Sequence, residues 1–386
     1  MILINYYFCI LFVKNHFVMK KLTLILLVLL AFAGCREEPL FVRTTLFRSG
    51  NYNSQNYRIP AIITAKDGTL VTLTDKRKCN DLDLPQDIDV VCRYSDDMGA
   101  TWSEPVTVAE GTGRKHGFGD AALALTNDPN GLISVFVGGV GFWQSTPTRS
   151  NRTYKSMSYD GGRTRTEPED ITHFIFGKDC NDSIRRNWRG SFCASGNGLL
   201  TSTGRIMFVA AVHEDAEWVA TNYVVYSDDN GATWNVSNRA SVGGDEAKVV
   251  ELENGDILMS MRHQGNRWYN VSHDGGVTWN DTVAEWNDLV GPACNGDIIP
   301  YYINGRRVLL HSLPASDKRE NVAVYVSEDE GKTWSHKKIV VPYFSAYSSL
   351  CVLPDNTIGL YVEECMYEDE GYEMVFYRFD YEWLTN

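Results

Sequence analysis

The sequence predicts an all-β fold, a six-bladed β-propeller, from three observations. One eight-residue phrase, Ser-x-Asp-x-Gly-x-Thr-Trp, occupies residues 95–102, 227–234, 272–279 and 327–334, and a fifth copy at 158–165 ends in Arg165. A second turn signature, built on Asp-Gly, Asn-Gly or Asp-Asn, recurs at 66–70, 253–257 and 354–358. Between these lie short apolar runs broken by Gly, Asn and Asp, with no long helical stripe, which is the pattern of strands joined by tight turns.

Each element follows from local chemistry. Residues 19–35 join two lysines to a dozen mostly apolar residues and then small ones, which reads as an export leader too short for a comfortable membrane span. Ala31-Phe32-Ala33 offers a plain cleavage site, and Ala33-Gly34-Cys35 a lipoprotein box. The latter is favoured, placing the protein at the outer membrane through a lipid on Cys35, with periplasmic or secreted location as the alternative. Residues 1–18 read as an upstream extension, and the propeller domain is expected over 42–386. Runs 61–64 and 70–73 flank the first Asp-Gly turn, and 90–94 feeds the first phrase. In each phrase the Ser and Asp oxygens can accept backbone N–H groups while Gly takes a positive φ, and Thr-Trp opens the return strand. Runs 132–137, 205–209, 223–226, 257–261 and 322–326 repeat the pattern in later units, whereas 147–184 reads as a polar, irregular surface excursion. The phrases start 63, 69, 45 and 55 residues apart, a spacing that suits blades with insertions better than a uniform solenoid. A further blade shared between the two ends of the chain brings the number to six.

Composition excludes several classes. Thirty-six basic against 49 acidic residues give a net charge of −13 with no basic run beyond the leader, so nucleic acid is not an expected partner. Beyond Cys9 and Cys35, seven scattered cysteines show neither a disulfide framework nor zinc spacing, and those inside apolar runs, such as Cys92 and Cys351, read as buried thiols. The acidic phrases lack the ligand spacing of an EF-hand loop, and no metal or other cofactor is expected.

Propeller loops at one end of the channel converge, so residues far apart in sequence can share a site. Three arginines sit at strand edges: Arg58 in Tyr57-Arg58-Ile59-Pro60, Arg262 after 257–261, and Arg319 before 320–327. Each alone reads as a solvated surface charge. Together, Tyr-Arg-Ile-Pro and the repeated phrase resemble the bacterial sialidase (neuraminidase) family with its Asp boxes, over about 49–378.

That resemblance implies an exo-α-sialidase acting on sialylated glycoproteins, glycolipids or oligosaccharides. It makes Arg58, Arg262 and Arg319 a clamp for the sialic acid carboxylate, which planar guanidiniums bind by paired, charge-assisted hydrogen bonds. It makes Tyr347 the nucleophile and Glu246 its base, with Asp245 and Glu251 as rivals. A neutral phenol avoids repulsion from the carboxylate borne by the anomeric carbon but needs a neighbouring base. The acid/base is expected in the loop holding Asp81, Asp83, Asp87 and Asp89, with Asp83 preferred and Asp81 next. Glu363 is implied to orient Arg58, while Arg77 and Asp120 would line the pocket. Trp143 is either an apolar wall for the acetamido or glycerol group or a core indole. An intramolecular trans-sialidase making a 2,7-anhydro product and a non-catalytic sialic-acid-binding propeller are the alternatives.

Overall fold

The computed structural model describes residues 39–367 and 371–386; the upstream extension 1–18, the leader 19–35 and Cys35 lie outside the described residues. From Phe41 to Asn386 the chain forms one contact-dense unit of antiparallel blades. Blade one is Asn56–Thr64, Leu70–Arg77, Ile88–Ser95 and Val106–Ala109, in that order from channel to rim. Blade two is built on Phe118–Leu125, Leu132–Gly138 and Arg152–Ser158, blade three on Gly190–Cys193, Ile206–His213 and Thr221–Ser227, and blade four on Ala247–Glu251, Ile257–Met261, Gly265–Ser272 and Ala284–Gly291. Blade five is built on Asp297–Ile303, Arg306–Pro314 and Glu320–Ser327, and the 17-residue strand His336–Val352 is its rim strand in its first part and the inner strand of blade six in its second. Blade six is completed by Ile358–Cys365, Glu373–Phe379 and the N-terminal strand Phe41–Phe47, which pairs antiparallel with Glu373–Phe379.

The repeated phrase is the turn from the third to the fourth strand of a blade, and its bonding is the same in all five copies. Ser95 Oγ accepts from Gly99 N at 2.9 Å and donates to Asp97, whose two oxygens accept from Thr101 N and Oγ1 at 2.8 and 2.6 Å. The copy at 158–165 keeps all four bonds, through Ser158, Asp160, Gly162 and Thr164. The carboxylates are thereby consumed within the turn. Both the residue before the glycine and the glycine itself are left-handed, with Met98 at φ 58° and Gly99 at φ 84°.

The tryptophan closing each phrase packs against the preceding blade. Trp234 lies with Ile133 and Met157 of blade two, Trp279 with Met207 and Val209 of blade three, and Trp334 with Leu258 and Trp286 of blade four. Arg165 fills the equivalent slot in blade two, donating to Ser134 Oγ at 2.8 Å and lying 3.7 Å from Cys92 Sγ of blade one. Cys92 and Cys351 are buried in clusters between blades.

The stretch 147–184 corrects its sequence reading as a surface excursion. It contains the strand Arg152–Ser158 and a short helix, Thr172–Ile175, and Ile175 with the flanking Ile171 and Phe176 is fully buried in the core between blades two and three. The apolar group Ile171, Phe174, Ile175 and Phe176 becomes core only where blades two and three meet around it, a contact that no local spacing signals.

Candidate active site

All five phrases and the first-to-second-strand hairpins, such as that at Gly68, lie at one end of the blades. The second-to-third-strand loops and the blade-to-blade connections lie at the other, and there the predicted site residues gather. Every strand reverses the chain, so repeating turns and variable loops are sorted to opposite ends.

Glu363 is the buried anchor of this end. Arg58 forks onto it, Nε to Oε1 at 3.0 Å and Nη2 to Oε2 at 2.9 Å, and it also accepts from Ile59 N at 2.7 Å and Tyr347 N at 3.2 Å. These backbone donors are available because the inner strands of blades one and six both bulge, between Arg58 and Ala61 and between Ser345 and Ser348. Ile59 takes φ 66°, a strained conformation for a β-branched residue, which the surrounding bonds hold in place.

Glu246 and Arg262 are neighbours across blade four. Ala247 pairs with Met261, so the residues just outside that pair face each other, with Arg262 N donating to Glu246 O at 2.8 Å. Their 16-residue spacing is one hairpin. Arg262 Nη1 donates to Glu246 Oε2 at 2.5 Å and to Tyr347 Oη at 2.9 Å, and Tyr347 Oη donates to the same Glu246 oxygen at 2.7 Å. The Arg58 and Arg319 guanidinium carbons lie 5.3 and 5.4 Å from the centre of the Tyr347 ring. Burial and then the Glu246 charge push the phenol well above its ordinary pKa, against the pull of Arg262 and Arg58, so it is held protonated with an acceptor already on its proton. Of the rivals to Glu246, Asp245 lies 3.4 Å from Arg262 Nε, and Glu251 accepts from Ser202 N and Oγ at the far end of the strand.

The loop after Leu70–Arg77 separates its four aspartates. Lys78 takes Asp87 and Asp89 at 3.0 and 2.9 Å. Arg77 donates to the Asp81 carbonyl and, through Nη2, to Asp83 Oδ1 at 2.6 Å. Desolvation works against the Asp83 charge, but Arg77, Arg58 and Arg319 outweigh it and hold this carboxyl below the usual range; its side chain remains 70 % exposed. Arg77 itself is 1 % exposed, beneath Asp83. Asp120 sits in a third bulge, at φ 52°, and burial followed by the charges of Asp75 and Asp83 push its carboxyl well up.

Trp143 stands on a neighbouring loop, stacked on the exposed Trp218 at 5.2 Å and edge-on to His213, and packed on a cluster that includes Leu84. Nothing brings it into contact with the three arginines. Beside Arg58 and Arg319 a cavity of about 570 Å³ opens, lined also by Asp81, Gln264 and Tyr372. Sequence reasoning missed Tyr372, whose ring stacks 5.3 Å from the Arg58 guanidinium carbon, and Asp75, buried at 1 % next to Arg77. The one signal for Asp75 was a carboxylate two residues before Arg77, in a strand that is apolar and threonine-rich up to that point. The assembly can bind a carboxylate between cations, attack with a phenol and move protons at two carboxylates. Among the described residues no cluster of His, Cys, Asp and Glu has the make-up of a metal site.

A family model described as a BNR repeat-like domain matches residues 85–360. The sequence is 32 % identical to a sialidase of Micromonospora viridifaciens over 84 % of this chain and 52 % of that protein, so the chain spans about half its length. It is 30 % identical to a sialidase of Clostridium perfringens over 80 % of this chain and 84 % of that one. A Hadza microbial sialidase structure superposes with a TM-score of 0.78 at 25 % identity, covering 89 % of this chain and 69 % of that one.

Proposed function

The chain belongs to the bacterial sialidase family, and on that premise we propose that it is an exo-α-sialidase releasing terminal sialic acid from glycoconjugates with retention. The observation that carries this reading is the Tyr347 hydroxyl donating to Glu246 at 2.7 Å under three guanidiniums. The sugar carboxylate bridges Arg58, Arg262 and Arg319. Tyr347 Oη then bonds to the anomeric carbon as its proton passes to Glu246, while the bond to the leaving oxygen breaks and that oxygen takes a proton from Asp83. In the second half, water gives a proton to Asp83 and its oxygen bonds to the anomeric carbon, and Tyr347 leaves with the proton returned by Glu246. Two displacements restore the configuration. A tyrosine nucleophile is a recognised departure from the two-carboxylate scheme of most glycosidases. Asp120 and Arg77 bound the pocket near the ring substituents, and Trp143 offers an apolar surface to the acetamido or glycerol group.

Incubating the purified protein with sialyllactose is expected to release free sialic acid, and Tyr347→Phe to bind but turn over slowly. A 2,7-anhydro product would assign intramolecular transfer instead. Folded protein that binds sialic acid and releases neither product would leave a binding propeller.

Export with lipidation of Cys35 completes the reading, supported by the composition of 19–35. In cells, Cys35→Ser is expected to move the protein from the membrane to the soluble fraction; unchanged membrane association would overturn the anchor.

A further inference from the structure

Arg58 offers three nitrogens and a charge, and different neighbours take them. Nε and Nη2 fork onto Glu363 at 3.0 and 2.9 Å, and among the described residues no group accepts from Nη1. The guanidinium stands over the faces of two rings, Tyr347 and Tyr372, with its carbon 5.3 Å from each centre. The Tyr347 ring is shared, since Arg319 stands 5.4 Å from the same centre, and its oxygen is the proposed nucleophile. Over Tyr372, among the described residues, Arg58 is the one guanidinium. Tyr372 is set there by the closing blade: it comes two residues before Met374, which pairs with Glu363, and it packs on the small apolar cluster of Ile59, Cys294, Ala346 and Tyr347.

We propose that Tyr372 is a positioning residue for the substrate carboxylate: its ring attracts and confines the Arg58 guanidinium, leaving Nη1 free to donate beside Arg319. The proposal rests on the sialidase reading for the ligand it serves. A fork alone does not fix the cation, because a carboxylate oxygen accepts hydrogen bonds over a broad range of directions and the guanidinium can swing about the line of its two bonds. Arg319 carries a like charge and repels it. A second carboxylate beside Arg58 would steady it but would compete with the sugar's own carboxylate for Nη1. A ring face attracts the charge and consumes no N–H. The contact is partly desolvated, with the Arg58 side chain 15 % exposed and Tyr372 half-buried, which strengthens it over a surface pair. Tyr372 also lines the cavity that Arg58 and Arg319 share, so direct contact with the sugar is the competing role.

Binding of two probes separates these roles: the unsaturated glycal of sialic acid, which keeps the carboxylate, and its carboxamide, which lacks the charge. Tyr372→Leu should weaken the glycal roughly five- to tenfold, by calorimetry or ligand-observed NMR, and leave the carboxamide within about twofold. Tyr372→Phe, which keeps the ring, should bind both like the wild type. Turnover of sialyllactose by Tyr372→Leu should carry the same factor in KM with kcat nearly unchanged, because the carboxylate is held in ground state and transition state alike. Equal losses on glycal and carboxamide would make Tyr372 a wall for the sugar or a structural residue. A loss shared by Tyr372→Phe would assign the effect to the hydroxyl, and undiminished glycal affinity in Tyr372→Leu would show the fork to be sufficient. Each of these, or a loss confined to kcat, overturns the proposal. If Tyr372→Leu does not fold, Tyr372→pentafluorophenylalanine keeps the ring's shape and reverses the charge on its face, and glycal affinity equal to that of Tyr372→Phe then overturns it as well. Wild-type protein that binds the glycal but turns over no sialoside would count against the sialidase reading alone, while the binding series still decides the role of Tyr372. Wild-type protein that does not bind the glycal would overturn both.

Discussion

At the scale of the residue, Glu363 shows how a buried charge is made tolerable. It is fully buried, yet its two oxygens accept from the Arg58 fork and from two backbone N–H groups on different blades. Such a pair is no guarantee of stability, because desolvation offsets much of the attraction, but removing one partner leaves a buried charge alone. Glu363→Ala should therefore cost about 3–5 kcal/mol by urea denaturation and lose activity as Arg58 swings free. Glu363→Gln, which keeps an acceptor, should cost less. Equal stability of Glu363→Ala and wild type would show that the two bulges hold themselves. Glu363 was legible in sequence only through resemblance: a glutamate at the end of an apolar run looks the same whether it faces solvent or an arginine three hundred positions away. Glu246 was legible more fully, since a one-hairpin spacing to Arg262 is a local relation that strand geometry converts into contact.

At the scale of the element, the phrase at 95–102 announces itself because its chemistry is self-contained. Ser, Asp, Gly and Thr satisfy one another within eight residues, so the same residues are required wherever the turn is used. The tryptophan answers to a neighbouring blade, which explains why it alone lapses. Arg165 can replace it where blade one offers a thiol and blade two a hydroxyl. The count of six blades from five phrases has the same physical basis: the third and fourth strands of blade six come from opposite ends of the chain, so no turn joins them. Local turns were thus legible and the filling between blades was not. Residues 171–176 were read as surface because Ile171, Ile175 and Phe176 become core only when blades two and three meet around them. The aspartates of the 81–89 loop stayed ambiguous for a related reason. What separates Asp83 from Asp87 and Asp89 is the choice each makes between Arg77 and Lys78, which depends on the loop's path and not on spacing.

At the scale of the molecule, closing the ring joins stability to the site. Phe41–Phe47 supplies the rim strand of blade six, with Phe41 opposite Phe379 and Phe47 opposite Met374. It buries Leu46 and Phe47, stacks Phe47 on Tyr57 of blade one at 4.6 Å, and brings Arg43 onto the buried Glu364 at 2.5 Å. Glu364 adjoins Glu363 on the strand paired with the Tyr347 strand, so the closing strand braces the anchor of the site from behind. Without it, Glu373–Phe379 becomes an open edge able to pair with another chain, and Glu364 loses its cation. A protein comprising residues 41–386 should melt like the full chain. One comprising 49–386 should melt roughly 10 °C or more lower, from the loss of a half-buried ion pair and an apolar strand, and should aggregate on heating. Its activity should fall before global unfolding, because Glu363 loses its backing while the other blades remain intact. Calorimetry and sialyllactose turnover on the two truncations decide this; equal midpoints and equal turnover would mean that five blades and three strands hold the ring unaided.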